Sequence, residues 1–131
     1  MLLDMFSLQT KTAVVTGGGS GIGKAISITL AEAGAQVHIV ELNRDAAQQV
    51  AEEIEARGGK AVAHACDVSV QQNVVDLFNL FGGINILVNN AGIAHIGNAE
   101  TTLEADFTRI LNVNVKGVYN CLFAAIPQLR K

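Results

Sequence analysis

Four of the five glycines in the run Thr16-Gly17-Gly18-Gly19-Ser20-Gly21-Ile22-Gly23, at 17, 19, 21 and 23, are the first residues whose type and spacing suggest chemistry. What matters is the missing side chains. They let a backbone turn tightly, come close to a pyrophosphate, and offer amide N–H groups at the positive end of the helix that follows. The run does not fit Gly-x-Gly-x-x-Gly, because Ile22 falls where that pattern needs its last glycine. It does fit Thr-Gly-x-x-x-Gly-x-Gly, through Thr16, Gly17, Gly21 and Gly23, with Gly19, Ser20 and Ile22 completing the loop. A glycine-rich turn before an ordinary helix gives the same short match, so position must decide.

Glu41 follows Gly23 by 18 positions, where a carboxylate can accept hydrogen bonds from the adenosine ribose hydroxyls. It would also repel a 2′-phosphate, which favours NAD(H) over NADP(H). Arg44, three positions on, is the group that would pair with such a phosphate, and a solvated strand-end acid is the plain alternative for Glu41.

The elements that must hold these residues follow from apolar periodicity, which switches repeatedly between strand-like and helix-like, with Gly, Asn, Asp and Ser at each switch. Thr12 to Thr16 is a β-branched run, followed by Ile22, Ala25, Ile26, Leu30 and Ala33 at helical spacing until Gly34. Val37 to Glu41 reads as a strand, and Arg44 to Arg57 as a helix with Ala47, Val50, Ala51 and Ile54 on one stripe. Ala61 to Ala65 is a third strand. Ser69 and Gln72 form a capping-box pattern, opening a helix through Phe81 that buries Val70, Val74, Leu77, Phe78 and Phe81. Ile86 to Val88 is a fourth strand. A second capping-box pattern, Thr101 and Glu104, opens a long helix with Leu103, Phe107, Ile110, Leu111, Asn114 and Val118 on one face, which Pro127 should end or kink. The alternation predicts an α/β fold over residues 1–131: a doubly wound parallel sheet of Rossmann type, strand order 3-2-1-4.

With the glycine loop between the first strand and first helix, the chain resembles the short-chain dehydrogenase/reductase family. Three further segments carry the likeness. Asp67-Val68, after the third strand, resembles the family's adenine-holding pair; favouring the next helix N-terminus is the alternative for Asp67. Asn89-Asn90-Ala91-Gly92, after the fourth strand, is similar to the element that flanks the nicotinamide ribose. Asn112-Val113-Asn114-Val115-Lys116-Gly117 resembles the segment whose second Asn, here Asn114, belongs to an active-site tetrad and holds a water in a proton relay. An interior helical Asn that only bonds backbone is the alternative. Asn112 receives no role.

The resemblance implies hydride transfer between nicotinamide and a secondary alcohol or ketone, with sugar-derived or hydroxy-acid substrates slightly favoured. It also implies a Ser and a Tyr-x-x-x-Lys beyond position 131, with this chain the cofactor-binding half of a protein of ~250 residues. Tyr119 is not that tyrosine, since position 123 is Phe. The expectation is therefore a chain that does not turn over alone; a non-catalytic nucleotide-binding module, or a defective gene product, is the second reading. A homo-oligomer is expected of a full-length relative. Loss of a fifth strand would leave Ile86 to Val88 an apolar edge, and loss of the next helix would leave Val118, Leu122, Phe123 and Ile126 partly uncovered.

Composition bounds the remaining classes. The 131 residues, half of them apolar, carry 9 Lys and Arg against 12 Asp and Glu, with no basic block to neutralise a run of phosphates, so no nucleic-acid partner is expected. Met1 to Leu8 has no positive leader region and no apolar run approaches ~20 residues, so a cytoplasmic protein with no membrane partner is expected. Cys66 and Cys121 lack metal-ligand spacing and read as small apolar fillers, and no metal is expected. His38 and His64 read as strand packing, while His95 is a candidate for the substrate mouth. Asn85 stands where many relatives carry Asp, which weakens a structural hydrogen bond.

Overall fold

The computed structural model describes residues 2–131, with side chains from Asp4 onward; Met1, which opens the stretch read for a leader, lies outside the described residues. After a short 3-10 turn the order is β1 (Thr12–Thr16), α1 (Gly21–Glu32), β2 (Gln36–Glu41), α2 (Arg44–Ala56), β3 (Lys60–Ala65), α3 (Gln71–Phe78), β4 (Ile86–Val88), α4 (Glu104–Leu111), a π-helical turn (Asn112–Lys116) and α5 (Gly117–Leu129). All pairings are parallel and the sheet order is β3-β2-β1-β4, as the alternation predicts.

The central strand β1 has no polar face because helices cover both sides of it. Ala13 and Val15 pack with Val37, Ile39, Val50 and Ile54 on the α1/α2 side. Val14 packs with Val40, Val68, Val74, Phe78 and Cys121 on the other. Burial pushes the Cys66 thiol up to about 11 and that of Cys121 to about 12, so both are inert core groups at neutral pH. Asn85 makes its structural bond: Oδ1 accepts from the Thr12 N–H at 2.8 Å, and the Asn85 N–H donates to Thr12 O at 2.9 Å.

Several local expectations are corrected. The buried stripe of α1 is Gly23, Ser27 and Ala31, not the larger apolar residues, and Ile22 is 74% exposed. Small residues face the sheet because the loop and helix approach it closely. Neither capping box forms. Val70 and Leu103 occupy the N-cap positions of α3 and α4 without side-chain bonds. Ser69 instead donates N–H and hydroxyl to Asp67 Oδ1, at 3.0 and 2.6 Å. Thr101 Oγ1 accepts from the Asn98 N–H, and Asn98 Oδ1 accepts from the Thr101 and Glu100 N–H groups, so an Asx turn takes over. The helix α3 ends at Phe78, short of Phe81, and Val70 is not buried but 42% exposed. Pro127 does not end α5, which runs on to Leu129, and a proline there gives up one ladder bond.

Candidate dinucleotide site

The carboxyl ends of β1, β2, β3 and β4 gather the predicted residues at the sheet's topological switch point, where ligands of open α/β sheets bind. Each glycine in the loop has its own reason. Gly17 and Gly21 have φ of +64° and +52°, a region that excludes most side chains. A Cβ on Gly23 would run into the Gly17 carbonyl and the Asn90 amide, so a first-turn side chain is incompatible with loop–helix contact. At Gly21 the space around a hypothetical Cβ is open. Ser20, the N-cap, makes no side-chain bond to the first turn, and that turn carries no acid. This cradle of glycines before an uncapped helix N-terminus fits a pyrophosphate.

Thr16 ties the loop to β4. Its Oγ1 accepts from the N–H groups of Asn90 and Ala91, both at 3.0 Å, and its hydroxyl donates to Val88 O. Asn90 answers through Nδ2, donating to Gly17 O at 3.0 Å. The Asn-Asn-Ala-Gly segment is thus bonded to the glycine loop through Asn90 and Ala91. Asn89 is exposed beside them, and Gly92 lies next to Asn114, whose Oδ1 a Cβ there would meet at 3.4 Å.

Glu41, at the end of β2, reaches over the loop: Oε1 accepts from the Gly19 N–H at 3.3 Å and Oε2 from the Asn43 N–H at 3.4 Å. Asp67 has Oδ1 committed to the N–H and hydroxyl of Ser69, and it does not cap α3, whose N-cap is Val70. Val68 is buried, and its carbonyl accepts from Asn120 Nδ2 at 2.8 Å. Asn120 is fully buried and takes a bond from Gln71 Nε2 on Oδ1. Sequence reasoning passed over Asn120 and Gln71; the available signal was an Asn in register with the apolar face of α5 formed by Gly117, Cys121 and Ala125.

Asn114 lies in the π-turn, where an extra residue per turn rotates its side chain toward the loop after β4. Both its polar groups bond one residue: Ile93 N–H donates to Oδ1 and Nδ2 donates to Ile93 O, each at 2.8 Å. These partners are backbone groups, and the long helix is divided there into α4, the π-turn and α5. A cleft of 730 Å³ opens between these loops and α4, lined by Leu42, Asp67, Ile93, Glu104, Arg109 and Asn112. His95 sits in the exposed loop leading to α4. A second cavity, of 440 Å³, lies by Gly34 and Gly58 at the carboxyl ends of α1 and α2, where helix dipoles disfavour an anion.

His38 and His64 lie off this site. Their ring nitrogens are 2.9 Å apart, and His38 stacks on Phe81 with centroids 4.2 Å apart. Burial, then the neighbouring His64, lowers His38 to about 4; burial, then Arg44, lowers His64.

Fold and site together define a nucleotide-binding α/β domain with a glycine loop at its switch point. Residues 11–131 match the sequence pattern of the short chain dehydrogenase family. The chain belongs to this family of oxidoreductases. It is 38% identical over 135 residues to a 7α-hydroxysteroid dehydrogenase of Escherichia coli K12, covering 98% of this chain and 51% of that protein. A 3-ketoacyl-(acyl-carrier-protein) reductase from Brucella melitensis, solved with NADH, is 42% identical with a TM-score of 0.86, covering 93% of this chain and 51% of its own. A metagenomic short-chain oxidoreductase solved with NADP is 34% identical with a TM-score of 0.89, covering 92% and 57%. The chain spans about half the length of the curated relatives it matches. Among the described residues, no helix is long and apolar enough to cross a membrane.

Proposed function

We propose that this chain is the cofactor-binding portion of an NAD(H)-dependent dehydrogenase or reductase acting on a secondary alcohol or ketone. The observation that carries the cofactor preference is Glu41, whose carboxylate lies against the glycine loop at the Gly19 N–H. An acid in that place accepts from ribose hydroxyls and repels a 2′-phosphate. Relatives solved with NADH and with NADP both exist, so the choice rests on this side chain.

The bound nicotinamide supplies or takes the hydride. The chain's own residues bind and orient. Thr16 fixes the loop's exit, and Gly17, Gly19, Ser20, Gly21, Ile22 and Gly23 form the pyrophosphate cradle. Asp67, through Oδ2, and Val68 hold the adenine. Asn89, Asn90, Ala91 and Gly92 flank the nicotinamide ribose. Asn114 positions that loop through Ile93, and a second lone pair on Oδ1 remains to accept from a relay water. The proton donor of the whole protein is proposed to lie outside these residues, because Tyr119 is followed at 123 by Phe. The relatives named for a hydroxysteroid and a ketoacyl substrate both point to a secondary carbinol or keto carbon.

Calorimetric titration of the 131-residue chain with NADH and NADPH tests the proposal. Saturable NADH binding, tighter than NADPH by tenfold or more, is expected; equal affinities, or NADPH binding more tightly, would remove the Glu41 argument.

A further inference from the structure

We infer that Gly19 is a specificity-determining residue: its missing side chain creates the seat in which the Glu41 carboxylate faces the adenosine ribose. The inference rests on the dinucleotide reading above. Gly17 and Gly21 are required by positive φ, and Gly23 by contact with the Gly17 carbonyl. Gly19 shares neither reason. Its backbone is in a conformation open to any residue.

What a side chain at 19 would meet is Glu41. A Cβ there would stand 2.5 Å from Glu41 Cγ, 3.1 Å from Oε1 and 3.2 Å from the Ala46 carbonyl carbon. Ala46 is backbone in the first turn of α2, anchored by its N–H to Asn43 Oδ1 at 3.1 Å. Glu41 is the flexible party, so Glu41 must move. Moving it breaks both its anchors, the Gly19 and Asn43 N–H groups. Discrimination against a 2′-phosphate comes from a fixed negative charge beside it, and a displaced carboxylate gives that up. Gly19 therefore acts on cofactor choice through Glu41: the atoms nearest a methyl at 19 belong to Glu41 and Ala46, not to the other glycines of the cradle.

The test is the ratio of NADPH to NADH dissociation constants, measured by fluorescence titration on the 131-residue chain, Gly19→Ala, Glu41→Gln and the double variant. Gly19→Ala is expected to lower the ratio about tenfold, and to change it less than about twofold when Glu41→Gln is already present. An unchanged ratio in Gly19→Ala overturns the inference, as does equal loss of both dinucleotides or an equal fall in both backgrounds. A parent chain without NADH preference, or one whose ratio ignores Glu41→Gln, overturns the Glu41 reading and this inference together; failure of Gly19→Ala alone leaves that reading standing. Thermal melting supplies the test if Gly19→Ala folds poorly. Glu41→Ala removes the Cγ that the new methyl meets, so it should restore most of the melting temperature lost in Gly19→Ala. No restoration would also overturn the inference.

Discussion

Asn114 and Ile93 exchange two hydrogen bonds, each 2.8 Å long, across 21 residues of chain. The pair fastens the loop after β4 to the π-turn between α4 and α5. Asn114→Ala leaves a half-buried N–H and C=O without partners, at a cost of about 1–3 kcal/mol. Urea denaturation should show this loss, and NADH affinity should fall with it. Asn114→Ala with parental stability would show that the loop is held elsewhere.

Gly23→Ala should be more damaging than Gly21→Ala to loop geometry, although Gly21 has the positive φ. A methyl at 23 runs into the Gly17 carbonyl and Asn90 amide, whereas a methyl at 21 meets open space and pays only for its backbone conformation, about 1–2 kcal/mol. Melting curves paired with NADH titration check the order. Equal effects would mean that loop and helix separate freely.

Thr16→Val keeps the shape of a buried β1 side chain but removes the acceptor used by the Asn90 and Ala91 N–H groups. A loss of about 1–3 kcal/mol is expected, with faster amide exchange at 90 and 91. Thr16→Ser should retain both bonds and most of the stability.

The histidine pair predicts an acid-side loss of stability. His38 is lowered from 6.5 to about 4, and His64 is lowered also, so the unfolded chain takes up protons before the folded one does. Stability is therefore full above about 6.5 and falls as pH drops toward 4. His38→Gln should flatten that part of the pH profile in urea titrations. An unchanged slope would place the acid sensitivity in carboxylates.

The fold was legible because the cues were strong and local. Thr12 to Thr16, Ile86 to Val88 and the stripe Ala47, Val50, Ala51 and Ile54 each have the periodicity of the element they form. The placement of the candidate site was legible because the glycine loop and the Asn-Asn-Ala-Gly segment fall at strand ends, and parallel topology brings such ends together. The caps were not, since Ser69 and Thr101 had competing partners in Asp67 and Asn98 that no spacing rule weighs. The π-turn was hidden too: the bonds between Asn114 and Ile93 that accompany it are tertiary. Asn120 was missed for a similar reason, because only the packed structure places the Val68 carbonyl against α5.

An exposed ridge tests association. Leu103, Phe107, Val115, Tyr119 and Phe123 lie exposed at intervals of four or eight residues along the start of α4, the π-turn and α5, and exposed apolar side chains so spaced favour association. Sedimentation should find the chain self-associating at micromolar concentration, and Phe107→Glu with Phe123→Glu should shift it toward monomer. A monomeric parent would show that the ridge alone is insufficient.

The most direct measurement is the map of amide shifts in 15N-labelled chain as NADH is added. Shifts concentrated at Gly19, Gly21, Ile22, Val68, Ala91 and Ile93, with Gly34 and Gly58 silent, are the predicted result. Shifts centred on Gly34 and Gly58, or none in a folded chain at millimolar NADH, would contradict a dinucleotide site at the carboxyl ends of the strands.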